Sequence, residues 1–187
     1  MSSSLDDLQQ LLAERSARRG KFTLSSGRES TLYIDARLTT MSPEGLVLIG
    51  QLGLESLEQH GWDVEAIGGL TLGADPVAFA VAYTSAKTPH PIRAFTVRKE
   101  AKTHGAGRLI EGPVVSGDRV AIVEDVITTG ASALRAVSAV RDIGGTVVGV
   151  LAVVDREEGG REALEKEGLQ VIALTTASQI IGRMALR

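Results

Sequence analysis

The chain has 187 residues, 43% hydrophobic and 23% charged, which suits one globular domain with a real core rather than a disordered segment. Cysteine is absent, so disulfides, thiolate nucleophiles and thiolate metal sites are excluded. A net charge of −3 without a basic tail or stripe disfavours general nucleic-acid binding and leaves room for a small anion held by a local cationic cluster.

Leu5, Leu8, Leu11 and Leu12 stand at helical spacing, and an amphipathic helix is expected over residues 5–19, stopped by Gly20. Two short β-like runs, 22–24 and 31–35, flank a polar turn around Gly27 and read as a hairpin. Ser42 as N-cap and Pro43 at the first position open a second helix that runs to about His60. Beyond it strands are expected at 64–68, 91–97, 120–123, 146–154 and 169–174, and helices at 76–85, 131–143, 161–167 and 177–184, with a polar, glycine-containing loop at 98–112. Scarce aromatics and abundant Val, Ala, Leu and Ile fit strands buried on both faces. This alternation predicts βαβ crossovers, hence an α/β fold with a central, mainly parallel sheet flanked by helices. No apolar run approaches the roughly 20 residues of a membrane span. The start, Met1-Ser-Ser-Ser-Leu-Asp-Asp, has neither the basic nor the apolar region of a secretory signal, so a cytoplasmic location is expected.

Residues 120–134 carry the densest signal. A buried strand ends in Glu124 and Asp125, a small-residue loop of Thr128, Thr129, Gly130, Ala131 and Ser132 follows, and an amphipathic helix begins. In an open α/β sheet ligands bind where a strand ends and a helix starts. There the loop amides, the helix dipole and three hydroxyls favour a phosphate, and Gly130 permits close approach. The two carboxylates would repel that phosphate unless they face something else; ribose hydroxyls and a Mg²⁺ shell both take oxygen acceptors. A sugar diol beside a phosphate means a ribose 5-phosphate. A strand end followed by an ordinary N-cap would use the same residues.

The sequence of strand, two acids, Val126, Ile127, Thr-x-Gly and small residues resembles the PRPP-binding motif of type I phosphoribosyltransferases, with Glu124 where the family usually has a first aspartate. A second segment, Arg98-Lys-Glu-Ala-Lys-Thr-His-Gly, gathers Arg98, Lys99, Lys102 and His104 in an otherwise acidic chain. Such a run is commonly a solvated surface loop, but here it closely resembles the catalytic loop of orotate phosphoribosyltransferases. That resemblance implies a loop that reaches into the partner subunit's active site in a homodimer. His60 and His90 are expected at the surface, leaving His104 as the functional histidine.

Further pieces support the resemblance. Gly68-Gly-Leu-Thr-Leu-Gly-Ala-Asp-Pro is similar to the family's pyrophosphate loop, without the lysine that some members carry near Leu72 or Gly73; backbone amides and Thr71 remain as contacts. Asp155-Arg-Glu falls where the orotate family contacts the base, which implies Arg156 as the base-recognition residue, its guanidinium matching a carboxylate or urea-like edge. Residues 22–37 are similar to the family's N-terminal hood, implying Ser25, Tyr33 and Arg37, with Thr128, around the base.

The resemblance implies one phosphoribosyltransferase domain over 1–187, with a hood at about 1–40 and a core at about 41–187. It further implies the transfer of ribose 5-phosphate from PRPP to orotate, with Mg²⁺ as cofactor, carried by PRPP near Asp125 rather than by a certain protein site. Lys102 and His104 would stabilise charge on, or protonate, the departing pyrophosphate. Two rivals keep the fold: a phosphoribosyltransferase for a purine or uracil, and a PRPP-binding regulator that also binds nucleic acid.

Overall fold

The computed structural model describes residues 3–23, 29–100 and 109–184. Helix α1 (Ser4–Leu11) starts under a capping box in which Ser3 and Asp6 exchange bonds between side chain and backbone. The chain then passes through a wider π turn, Leu12–Ser16, into the antiparallel pair β1 (Ala17–Thr23) and β2 (Glu29–Ile34). A short helix α2 (Arg37–Thr40) leads to α3 (Pro43–Gln59), whose N-cap Ser42 accepts from the Gly45 amide at 3.1 Å.

The remaining elements alternate: β3 (Ala66–Leu70), α4 (Ala74–Ser85), β4 (Arg93–Val97), β5 (Ile110–Glu111), β6 (Arg119–Ile127), α5 (Ala131–Asp142), β7 (Thr146–Asp155), α6 (Gly160–Lys166), β8 (Gln170–Thr176) and α7 (Ala177–Met184). The main sheet has the order β5-β4-β3-β6-β7-β8 and is parallel except for β5, which pairs antiparallel with β4. From β3 the chain first adds β4 on one side and later β6 on the other. The order therefore reverses between β3 and β6, and the crevice outside their C-terminal ends is where such sheets bind ligands.

Side-chain alternation along β6 divides the core. Val120 and Ile122 pack toward α5 and α6 with Ala136, Val140 and Leu164, whereas Ala121 and Val123 pack toward α3 and α4 with Ile49, Val77 and Val81. Helices thus cover both faces, which is why the strands read as continuous apolar runs.

Several expected boundaries shift. The first helix does not reach Arg19: its apolar stripe ends at Leu12 and Ala13, and residues from Ala17 onward pair with β2 instead. The strand expected at 120–123 runs to Ile127, because its ladder with β7 continues through Glu124↔Ala152, Val126↔Val154 and Ile127↔Asp155. The acids therefore lie inside the strand rather than at its end. The loop expected at 98–112 contains β5, whose Glu111 and Ile110 pair with Thr96 and Val97. Helix α2 was not expected, and α4 begins at Ala74, ahead of Pro76.

Candidate active site

Alternation places the two acids of β6 on opposite faces. Glu124 continues the Val120–Ile122 row toward α5, and Asp125 continues the Ala121–Val123 row toward α4. Glu124 is 7% exposed, and among the described residues its Oε1 is buried without a hydrogen-bond partner. Burial, followed by the charge of Asp125, pushes its carboxyl from 4.5 up to about 8. A carboxyl that keeps its proton near neutrality does not repel a phosphate, and it can donate to or accept from a sugar hydroxyl.

Beyond Glu124 the chain forms a small concavity lined by Thr128, Thr129, Gly130, Ala131 and Ser132. Gly130 takes φ +78°, a backbone state that favours glycine, and α5 starts immediately after it with no side-chain cap. Its first-turn amides and dipole therefore face the concavity.

The raised carboxyl has a consequence for stability. Glu124 keeps its proton in the fold at pH values where the unfolded chain has lost it. The contribution of Glu124 to stability is thus intact below about 4.5 and is lost as pH rises from there through about 8, by on the order of a few kcal/mol in total. Urea unfolding of the ligand-free protein across this window should show that decline, and Glu124→Gln should flatten it; parallel curves for the two proteins would rule out the buried proton.

The turn after β3 approaches the same crevice from the other side. Thr71 uses both of its donors on the protein: its N–H reaches Val97 O at 2.8 Å and its hydroxyl reaches Asp75 Oδ2 at 2.6 Å. Asp75 Oδ1 accepts from the Thr96 hydroxyl at 2.9 Å. The Thr71–Leu72 peptide is cis. Gly73 sits against Asp125 so closely that a Cβ there would lie 2.5 Å from Oδ1 and 2.8 Å from Oδ2. Burial raises the Asp125 carboxyl, opposed by the Val126 amide at 2.8 Å and by the positive charge of Arg37. Arg37 itself is held by Asp35 through bonds of 2.8 and 3.0 Å.

At the end of β7, Arg156 is 7% exposed and its amide donates to Ile127 O at 2.9 Å, tying it to the end of β6. Its Nη2 donates to Glu158 at 2.6 Å and to the Leu32 carbonyl of β2 at 3.3 Å. Among the described residues its buried Nε meets no acceptor. Tyr33, 39% exposed, packs its ring 5.4 Å from that of Phe22. The β1–β2 pair therefore overlies the strand end that carries Arg156.

The basic segment leaves from the β4–β5 edge. Arg98 N–H donates to Leu109 O at 2.8 Å, which closes the stem of the loop, and the Arg98 side chain reaches Glu111 at 3.6 Å. Arg135 of α5 donates to the Lys99 carbonyl at 2.6 Å, so the stem is pinned to the helix that follows the small concavity.

No family model matches the chain. An orotate phosphoribosyltransferase of Aquifex aeolicus is 52% identical over 160 residues, 86% of this chain and 86% of that protein. That of Mycobacterium tuberculosis is 52% identical over 164 residues, 88% of this chain and 89% of that protein. The chain belongs to the orotate phosphoribosyltransferase family. A crystal structure of Mycobacterium tuberculosis orotate phosphoribosyltransferase in complex with PRPP superposes with a TM-score of 0.80 at 45% identity, covering 95% of this chain and 99% of that one. The mainly parallel sheet with helices on both faces is the type I phosphoribosyltransferase fold of this family.

In this orotate phosphoribosyltransferase fold, Glu124, Asp125, residues 126–132, Thr71 and Arg156 all gather along the C-terminal edge of β3, β6 and β7. Tyr33 and Arg37 approach the same edge from the β1–β2 side. Arg98 and Lys99 stand at the loop stem, while Lys102, His104 and Ser25 lie outside the described residues. The side chains of Asp75, Arg135 and Glu158 have no role that the sequence alone suggests. Their parts depend on contacts between separate elements, which local spacing does not report. Among the described residues no helix is long and apolar enough to cross a membrane.

Proposed function

We propose that this chain is a Mg²⁺-dependent orotate phosphoribosyltransferase that joins orotate to PRPP and releases pyrophosphate, giving orotidine 5′-monophosphate in de novo pyrimidine synthesis. The observation that carries this reading is the placement of a buried, partly unsatisfied arginine one strand away from an acid-flanked phosphate cradle. A cradle without Arg156 would suit any PRPP user; the arginine supplies a match for the carboxylate that distinguishes orotate from uracil.

In this reading the 5-phosphate sits on the amides and hydroxyls of Thr128, Thr129, Gly130, Ala131 and Ser132, with Val126 and Ile127 shaping the floor. Glu124 and Asp125 take the ribose hydroxyls. Arg156, with Thr128, Tyr33 and Ser25, orients the base so that its N1 faces the ribose C1 as the pyrophosphate departs. Catalysis then comes from alignment of two bound reactants and from charge stabilisation of the leaving group, with no nucleophilic side chain. Lys102 and His104, with Lys99 and Arg98 at the stem, supply that positive charge.

Among the described residues no three His, Cys, Asp or Glu side chains converge as a metal cage. The Asp125 carboxylate at the crevice fits Mg²⁺ held mainly by substrate oxygens and water. When bound, the ion neutralises charge on the pyrophosphate group.

We further read the chain as a single domain that works as a homodimer, each protomer lending its basic loop to the other. Support comes from an exposed apolar face on α2, α3 and α4: Leu38, Met41, Val47, Phe79 and Tyr83 are 50%, 47%, 59%, 52% and 84% exposed. Phe79→Asp should shift the protein from dimer to monomer in sedimentation and cut activity in step; an active monomer would rule out loop sharing.

The reaction itself is tested by supplying PRPP and Mg²⁺ with orotate, uracil, adenine or hypoxanthine in turn and measuring pyrophosphate. Release with orotate alone is expected. Release with a purine or with uracil in preference to orotate would overturn the base assignment.

A further inference from the structure

Asp75 lies at the second position of α4, close to a turn assigned above to the pyrophosphate of PRPP. A carboxylate there would oppose an anion if its oxygens faced the ligand. They do not: Oδ2 accepts from Thr71 at 2.6 Å and Oδ1 from Thr96 at 2.9 Å, so each oxygen is turned onto a hydroxyl of the frame. The start of α4, with its positive dipole end, also favours a carboxylate at this position.

The bonding of Thr71 decides what the turn can offer. Both Asp75 oxygens accept, so the single hydroxyl proton of Thr71 points to Asp75, and its N–H points to Val97. Neither donor is left for a phosphate oxygen. Among the described residues the next two amides, Leu72 and Gly73, meet no acceptor, and α4 has no side-chain cap. These are the groups that remain for an anion. Their direction is fixed at one end by the Thr71–Asp75–Thr96 chain and at the other by contact of Gly73 with Asp125.

We propose that Asp75 is a positioning residue for the leaving group, bridging Thr71 and Thr96 so that the amides of Leu72 and Gly73, rather than Thr71, receive the pyrophosphate. Thr71 then serves as a tether, and Thr96 on β4 acts on a ligand it does not touch. The inference rests on the phosphoribosyltransferase reading and assigns within it a role to residues outside the substrate contacts.

The test is calorimetric titration of the full-length protein with two ligands in the presence of Mg²⁺: pyrophosphate, which uses this turn, and orotidine 5′-monophosphate, which uses the cradle and the base site. Asp75→Ala should weaken pyrophosphate binding at least about tenfold while orotidine monophosphate binding stays within about twofold, since losing bonds to a charged acceptor is costly but local. Thr96→Val, nearly isosteric and unable to donate, should give a smaller loss of the same selective kind; it keeps the test open if Asp75→Ala does not fold. Equal weakening of both ligands, or unchanged pyrophosphate affinity in a folded variant, overturns the positioning role. If the unaltered protein binds neither ligand, the phosphoribosyltransferase reading fails first and this inference falls with it.

Discussion

Replacing Gly73 with alanine is expected to lower kcat/KM for PRPP at least about a hundredfold while the protein still folds, since misplacing reacting groups by about 1 Å costs that much. Gly73 has an ordinary helical backbone, φ −64°, so conformational freedom is not what the site requires. Space is. An added Cβ would fall 2.5 Å from Asp125 Oδ1 and 2.6 Å from its Cγ. The cheapest relief is to push the short Asp125 side chain aside, which breaks its 2.8 Å bond from the Val126 amide and moves the acid assigned to the ribose. Alternatively the turn itself retreats and carries its free amides away from the pyrophosphate. Either route damages the crevice and leaves the core, centred on Ile67, Val77 and Val123, untouched. Thermal unfolding together with PRPP titration separates the outcomes. Full activity in Gly73→Ala would mean that the contact between this turn and Asp125 has no part in the reaction.

The second large effect is expected at Arg156. Arg156→Ala should raise the KM for orotate by about a hundredfold, corresponding to the loss of one or two charge-assisted bonds at about 1.5–3 kcal/mol each. Pyrophosphate binding should not change, because Arg156 lies on the far side of β6 from the Gly73 turn. Arg156→Lys is not expected to restore the KM, since a point charge cannot present the planar fork that matches a carboxylate. The cost to folding should be modest, because the Glu158 side chain is 20% exposed and its charge keeps access to water. The bond to Leu32 O is lost as well, which loosens the β1–β2 pair over the site. Steady-state kinetics with both substrates varied measures this; an orotate KM unchanged in Arg156→Ala would move base recognition elsewhere.

The sheet, the order of its elements and the turn from β6 into α5 are legible because their signals are local. Apolar runs mark buried strands, and the acid pair followed by Thr-x-Gly and small residues occupies one unbroken stretch. The N-terminal boundary was not legible: Arg18, Arg19 and Gly20 imitate a helix end, and only pairing with Glu29–Ile34 makes them a strand. The extension of β6 through Glu124 and Asp125 escaped for a similar reason, since the ladder that holds it comes from β7. Asp75 was visible as a residue in a glycine-rich turn but indistinguishable from an ordinary acid near a helix start. Its role arises from parallel pairing of β3 with β4, which brings Thr96 beside it. The raised carboxyl of Glu124 likewise needs the surrounding fold, because desolvation depends on what covers the side chain and not on its neighbours in sequence.

The most direct measurement follows the ultraviolet absorbance of orotate in a mixture of purified protein, orotate, PRPP and Mg²⁺. The expected result is a fall in absorbance that requires all four components and is lost in Arg156→Ala at low orotate. Unchanged orotate, in a protein that releases pyrophosphate from PRPP with a different base, would contradict the assignment.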